Sequence, residues 1–305
     1  MSVGTINPRL GFTLSLTTAV LWGLLPIALK VALEGMDPYT ITWWRFAVAM
    51  AGLGAFLAWR GQLPRLAGAG RAAIILLGIA MLALIGNYVL YVVALDHVTP
   101  SVTQVVIQLA PLMLLVGSVV VFRESLAPVQ WAGFAALATG LALFFNDRLP
   151  ELARPTEGLG FGVVLTVAAA VSWAIYGLAQ KKLHDTFSSQ QVLWVIYVGA
   201  VVLLLPASAP LAIRELDGLQ LGMLGFCCVN TLAAYGSFGE ALQHWELSRV
   251  SAVIATAPLF TIGAMWAAER SGLGLVPAES LNALAMAGAL LVVAGSAACA
   301  LAARH

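Results

Sequence analysis

Charged side chains are scarce in this sequence. Asp, Glu, Lys and Arg make up 10% of its 305 residues, whereas hydrophobic residues make up 61%. A soluble globular chain carries about 25% charged residues. So few charges cannot cover a folded chain of this size with a charged surface. The composition therefore excludes an ordinary soluble protein and indicates that lipid is the solvent.

The residue patterns of common catalytic and cofactor sites are also missing. The cysteines Cys227, Cys228 and Cys299 stand inside apolar runs, where a free thiol is usually a small packing residue. His97 and His244 fall at predicted loop ends on opposite sides of the membrane, which makes a shared metal site implausible. We find no P-loop, no Gly-x-Ser-x-Gly elbow, no metal motif and no basic cluster. We therefore expect no enzyme activity, no cofactor, no metal and no nucleic-acid partner.

Long uncharged runs are what the sequence has instead. A membrane-spanning helix needs about 17–25 residues, and nine runs without Asp, Glu, Lys or Arg reach that length. They are 10–29, 72–95, 97–122, 125–146, 158–180, 186–213, 218–239, 250–268 and 280–303. A tenth apolar stretch, 39–59, is interrupted only by Arg45. The sequence predicts an all-α integral membrane protein with ten transmembrane helices and short loops.

The loop charges predict the orientation. With the N-terminus inside, nine Lys and Arg residues fall on the cytoplasmic side and five on the other, leaving out Arg45. The positive-inside rule then places both termini in the cytoplasm. The segment RGQLPRLAGAGR, residues 60–71, contributes most to this asymmetry.

Two parts of the sequence resemble each other. AVLWGLLPIALK (19–30) matches AVSWAIYGLAQK (170–181) at an offset of 151, so that Trp22 aligns with Trp173 and Lys30 with Lys181. ALDHVTPSVTQVVIQLAPL (94–112) matches ALQHWELSRVSAVIATAPL (241–259) at an offset of 147, which aligns Pro111 with Pro258 and Tyr88 with Tyr235. Aligned Trp, Lys, Pro and His residues are not expected from chance matches of apolar residues.

The chain therefore divides into halves of about 1–150 and 151–305, joined by a linker at 146–158. Each half holds five predicted helices. Because five is odd, the second half enters the membrane upside down relative to the first. This arrangement predicts two inverted-topology five-helix repeats around a central cavity, as in secondary transporters.

The 5+5 plan resembles the ten-helix EamA-type branch of the drug/metabolite transporter superfamily over essentially the whole chain. The resemblance rests on WWRF in helix 2, on proline-bearing helices 4 and 9, on Glu124 and Glu269 at their ends, and on glycine pairs in helices 5 and 10. Within that family the chain looks most like the bacterial aromatic amino-acid exporters, although no short motif encodes the substrate. The resemblance implies an inner-membrane transporter. One departure is Ile196, which stands where the first half has Arg45.

Prolines and polar residues inside the spans mark a candidate path. Pro26, Pro111 and Pro258, with Gly177 in helix 6, predict bends where a cavity opens and closes. Amide, hydroxyl and aromatic side chains recur on shared helix faces and line the predicted cavity. The substrate-binding candidates are Trp22, Pro26, Lys30, Asn87, Tyr91, Gln104, Gln108, Pro111, Trp173, Tyr176, Gln180, Asn230, Ser237, Ser251 and Pro258. For single residues, interhelical hydrogen bonding is an equally good interpretation.

The few charges near the spans have two interpretations each. Lys30 and Lys181 either extend to the interface or hold a substrate carboxylate at the two mouths. Arg45 either bridges to loop carbonyls or Asp37, or belongs to the outer vestibule. Glu240 is an interface group or titrates with transport.

The glycine pairs Gly133/Gly140 and Gly288/Gly295 are predicted to fasten helix 5 to helix 10, because small residues let helix backbones approach closely.

The resulting hypothesis is export of amino acids, most of all Phe, Tyr and Trp, across a bacterial inner membrane by alternating access, with a monomer sufficing. The resemblance also implies a limit, because the small four-helix multidrug relatives bind cations and protons through a carboxylate in helix 1. Helix 1 of this chain carries no Asp or Glu, which disfavours exchange of protons for hydrophobic cations by that route. The alternatives are export of another small metabolite (threonine, a cysteine-pathway compound, a nucleoside or a drug), a membrane-embedded enzyme, or a non-transporting helical assembly.

Overall fold

The computed structural model describes residues 7–66, 68–122, 127–152, 158–245, 247–272 and 281–301. Within these ranges the fold consists of helices and turns, with no strand. The helices are α1 (Pro8–Leu33), α2 (Pro38–Trp59), α3 (Arg71–His97), α4 (Pro100–Val106), α5 (Leu109–Phe122), α6 (Pro128–Phe144), α7 (Leu149–Leu152), α8 (Gly158–Leu183), α9 (Ser189–Leu204), α10 (Gly218–His244), α11 (Leu247–Ile254), α12 (Ala257–Ser271) and α13 (Ala283–Leu301). Two short 3-10 turns, Leu205–Ala207 and Pro210–Glu215, follow α9.

The all-helical membrane class is confirmed. Among the described residues, eight helical stretches are long and apolar enough to cross a membrane, counting α4 with α5 and α11 with α12 as one stretch each. In the predicted runs 125–146 and 280–303 the apolar stretches are shorter, Pro128–Phe144 and Ala283–Cys299. The chain is therefore a multi-pass membrane protein, and ten crossings remain a prediction.

Local sequence sets where the helices begin. Proline occupies the first turn of α1, α2, α4 and α6, where its missing N–H has no helical partner in any case. Asp37 caps α2 by accepting from the N–H groups of Tyr39 and Thr40. Ser188 and Asp217 open α9 and α10 with capping boxes.

The main packing partners join helices from the two halves. α3 packs along α8, α1 along α10, α2 along α9, and α6 along α13. Three buried clusters fill the bundle, and the largest surrounds Phe46, Tyr88 and Tyr197. The bundle interior thus lies at the boundary between the predicted halves.

The α6–α13 contact is the backbone approach that the glycine pairs predict. A Cβ at Gly140 would lie 2.8 Å from the carbonyl oxygen of Gly288, and one at Gly133 would lie 2.8 Å from that of Gly295. Only residues without a side chain allow these backbones to lie so close. The packing prediction for the four glycines is confirmed.

Candidate functional site

The two proline-bearing helices are interrupted, and the interruptions precede the prolines. α4 ends at Val106 and α5 begins at Leu109, ahead of Pro111; α11 ends at Ile254 and α12 begins at Ala257, ahead of Pro258. Proline clashes with the carbonyl four residues back. In the first break the carbonyl four residues before Pro111 is that of Ile107, and it accepts from Ala110 N–H at 2.8 Å instead. The breaks at these prolines are therefore as predicted.

The other two predicted bends, at Pro26 and Gly177, do not interrupt a helix and stay predictions. α1 runs unbroken through the buried Pro26, and α8 through Gly177. A Cβ at Gly177 would lie 2.9 Å from Leu114 Cδ1. Gly177 therefore provides room for a side chain of α5 and does not end a helix.

A hydrogen bond joins the two breaks. The buried Gln108 side chain lies in the first, and its Nε2 donates to the carbonyl oxygen of Ala255 in the second at 2.7 Å. In an unbroken helix the N–H of Leu259 would donate to the carbonyl oxygen of Ala255. Here it donates to Thr256 O at 2.9 Å instead. Gln108 therefore satisfies a backbone acceptor that the opposite break has exposed.

Other candidate polar groups form pairs. The Tyr91 hydroxyl donates to Gln104 Oε1 at 2.8 Å and so links α3 to α4. The buried Tyr176 and the half-buried Gln180 lie one turn apart on α8. These pairs place phenol and amide groups in the bundle interior, where they can hydrogen-bond to a ligand.

Two candidate asparagines are structural in this conformation. Asn87 Nδ2 donates to Ala169 O at 2.9 Å and joins α3 to α8; Asn230 Nδ2 donates to Leu21 O at 2.6 Å and joins α10 to α1. The Asn230 Oδ1 atom is buried and has no hydrogen-bond partner in the described part of the chain.

An aromatic group lies between α1 and α10. The half-buried Trp22 ring packs against Tyr235, with centroids 5.6 Å apart and planes at 69°, and against Phe238 at 6.1 Å. Trp173, its counterpart in the second half, packs on the cluster around Phe46 and Tyr88. Of the remaining candidates, Ser237, Ser251 and Pro111 are half-buried and Pro258 is buried.

Lys30 lies at a mouth of the bundle. Its ammonium group donates to the carbonyl of Leu95. A cavity of about 340 Å³ opens here, and two cationic and two acidic side chains line it: Lys30, Arg148, Asp96 and Glu151. The mixture of charges suits a zwitterion better than a molecule with a net charge. Its position matches the outer mouth of the predicted topology.

The sequence predicts Arg45 as a bridge to loop carbonyls or Asp37, or as part of the outer vestibule, and the structure corrects the bridge. Arg45 is buried, its Nε donates to Thr231 Oγ1 at 3.2 Å, and its guanidinium lies 4.5 Å from the Tyr88 ring centroid. Asp37 is occupied with the helix cap. The charge itself marked Arg45 in the sequence, but no local pattern indicates a partner 186 positions away.

Three predictions concern charges or metals. Within the described ranges, no group of three or more His, Cys, Asp or Glu residues is arranged to hold a metal ion. Glu240 is exposed, and its carboxylate lies 3.4 Å from His244 Nε2. Glu124 lies outside the described residues.

These features define a helical multi-pass membrane transporter with a polar and aromatic interior between its halves. The chain belongs to the EamA-like transporter family, which matches residues 9–146 and 160–300. The family and the relatives below are named as transporters, which points away from an enzyme.

Similar proteins support the same class. The chain is 40% identical to an uncharacterised transporter of Haemophilus influenzae, over 95% of this chain and 94% of that one. It is 38% identical to the inner membrane transporter YhbE of Escherichia coli K12, itself uncharacterised, over 94% and 90%. It is 26% identical to a "probable amino-acid metabolite efflux pump" of Salmonella typhimurium, over 92% of each chain. The chain is accordingly a multi-pass inner-membrane protein.

The fold also occurs in a solved crystal structure. That structure has 18% sequence identity and a TM-score of 0.61, and the match covers 98% of this chain and 100% of that one. At this identity the likeness concerns the fold alone.

Proposed function

We propose that this transporter exports amino acids, aromatic ones above all, by alternating access between two inverted repeats, 1–150 and 151–305. The helix pairing supports the repeats. In the alignment of the halves α1 corresponds to α8 and α3 to α10, so exchanging the halves turns the α3–α8 contact into the α1–α10 contact. Individual bonds follow the same exchange. Asn87 donates to Ala169 O, and the matching positions, Ala234 and Thr18, are also bonded, but in the opposite direction: Thr18 Oγ1 donates to Ala234 O at 3.4 Å.

Contacts between matched residues support an axis of pseudosymmetry. Gln108 and Ala255 are 147 positions apart, which is the offset that aligns their two segments, and they are hydrogen-bonded. Tyr88 and Tyr235 have the same offset, and Tyr235 packs against the buried cluster that contains Tyr88. A residue can contact its own symmetry mate only at a two-fold axis. Such an axis lies in the membrane plane in transporters with inverted repeats, beside the substrate site.

One observation carries the substrate class: aromatic rings and polar groups meet at this boundary. Trp22 and Tyr235 supply ring faces, and Tyr91 and Gln104 supply hydrogen-bonding groups. Stacking on such rings adds about 0.5–1.5 kcal/mol per pair. The name of the Salmonella relative, an amino-acid metabolite efflux pump, and the mixed charges at the Lys30 mouth favour a zwitterionic substrate. We propose a monomer in the lipid bilayer, with a small-molecule substrate and no nucleic-acid partner.

Transport into proteoliposomes tests the proposal. We expect the purified protein to move labelled Trp, Phe or Tyr down a gradient. Unlabelled aromatic amino acids should compete about 2- to 13-fold better than threonine or a nucleoside, the factor that one stacked ring pair supplies. Running the assay with and without a pH gradient identifies proton coupling. Empty liposomes provide the background. Selective transport of threonine or a nucleoside would contradict the aromatic assignment.

Topology mapping tests the repeats. Both termini are expected in the cytoplasm, because each half contributes five crossings and the loop charges are asymmetric. Single cysteines placed near residue 7 and residue 301, after the three native cysteines are changed to Ala, should resist a membrane-impermeant thiol reagent in intact spheroplasts. Both should react after lysis. Termini on opposite sides would contradict the inverted arrangement.

A further inference from the structure

Arg45 is a cation deep in the bundle. It lies two turns inside α2, at the contact between α2 and α10, and only 4% of its surface is exposed. Arginine stays protonated in proteins. An ionisable side chain within a membrane span is costly and marks a functional site by default.

No acid opposes this charge within the described ranges. No ion pair to Arg45 is present there, and the groups in contact with its side chain are the Thr231 hydroxyl and the Tyr88 ring. The Tyr88 ring gives a cation–π contact. Neutral groups and one ring face leave a net positive charge in the interior.

The N–H groups of the Arg45 guanidinium also indicate that an anionic ligand binds here. A guanidinium has five N–H groups in a planar fork. In Arg45 the Nε–H is satisfied by Thr231 Oγ1, which itself donates to Cys227 O at 2.9 Å. The Nη groups have no hydrogen-bond partner in the described part of the chain. These groups form the edge that binds a carboxylate with two parallel bonds.

A second polar group in the same place lacks a partner. Thr42 lies one turn before Arg45 on the same face of α2, and its buried hydroxyl has no hydrogen-bond partner among the described residues. Buried hydroxyls are nearly always paired. An unpaired hydroxyl beside an unopposed cation indicates that both await one anionic ligand.

We propose that Arg45, with Thr42, is the subsite that binds the carboxylate of the transported molecule. A single guanidinium balances one negative charge, so the ligand is a monocarboxylate and not a phosphate dianion. The proposal rests on the proposed function and extends it. Arg45 contacts Tyr88, and Tyr235, the ring partner of Trp22, packs against the same buried cluster as Tyr88. Because Arg45 joins α2 to α10, the subsite spans the boundary between the halves.

The test compares acids with derivatives that lack the carboxylate. Competition against labelled substrate in proteoliposomes is measured for tryptophan, indole-3-propionate, tryptophanamide and tryptamine, and for threonine and leucine with their amides. Wild-type protein should prefer each acid to its amide. In Arg45→Gln the apparent affinity for acids should fall about 30-fold, the usual effect of a charge-assisted hydrogen bond. Binding of the amides, which carry an ammonium group and no carboxylate, should not fall.

Three further variants separate binding from folding. Arg45→Lys keeps the charge without the fork and should recover part of the affinity for acids. Thr42→Val conserves shape and removes an unpaired hydroxyl, so the thermal unfolding midpoint should hold while affinity for acids falls about fivefold. It remains informative even where Arg45→Gln does not fold. Arg60→Gln, at the exposed end of the same helix, is the matched control and should behave as wild type.

The outcomes distinguish this proposal from the function. Equal loss of acids and amides in Arg45→Gln, or wild-type acid preference in both Arg45→Gln and Thr42→Val, overturns the subsite and leaves amino-acid transport standing. Arg45-dependent preference for a non-aromatic acid supports the subsite and overturns the aromatic assignment. If wild-type protein recognises none of the acids, both fall.

Discussion

Gly288→Val is expected to prevent the folded protein from accumulating. A Cβ at position 288 would lie 2.4 Å from the backbone nitrogen of Phe144 and 2.6 Å from the carbonyl oxygen of Gly140. These are backbone atoms of α6, so no side-chain rotation relieves the clash. The two helices must separate along their shared face, and overpacking of this kind costs about 3 kcal/mol or more.

The measurement is the yield of monodisperse protein in detergent, with the thermal unfolding midpoint of whatever is recovered. Gly263→Val on α12 is the matched control, since a Cβ there meets nothing within 4 Å. We expect the control to resemble wild type. A Gly288→Val protein with normal yield and midpoint would show that α6 and α13 do not depend on this close approach.

The same glycines show what the sequence can predict. Gly133 and Gly140 repeat at seven residues, and so do Gly288 and Gly295, which puts each pair on one helix face and predicts the partner helix. The uncharged runs predict the helices for a similar reason, because lipid requires each crossing to satisfy its own backbone groups. Both predictions depend on local periodicity.

Long-range partners do not follow from periodicity. Pro111 and Pro258 indicated where helices break, but Pro26 has the same local chemistry and stands in an unbroken helix. The difference lies in tertiary contacts, because Gln108 stabilises the exposed carbonyl of Ala255 across the bundle. The contact of Arg45 with Thr231 is likewise invisible to any local pattern.

Replacing both break prolines is expected to stop transport while the protein stays folded. In Pro111→Ala the new N–H can donate to Ile107 O, which in the wild-type protein accepts from Ala110 N–H. In Pro258→Ala the new N–H can likewise donate to Ile254 O. Continuous helices would form in place of α4–α5 and α11–α12. If access alternates by bending at these two places, a double variant without either bend loses at least about tenfold in rate, equivalent to about 1.4 kcal/mol on the barrier.

The two single variants and a control make the result specific. Each single replacement should lower the rate less than the double one, because one break remains. Pro128→Ala changes a first-turn proline of α6, whose missing N–H has no helical partner, and should leave transport unchanged. Substrate binding in the double variant, measured by thermal shift, should persist, since the change affects movement and not recognition. Full transport by a folded double variant would show that the breaks are not hinges, and the matched prolines would then be features of packing.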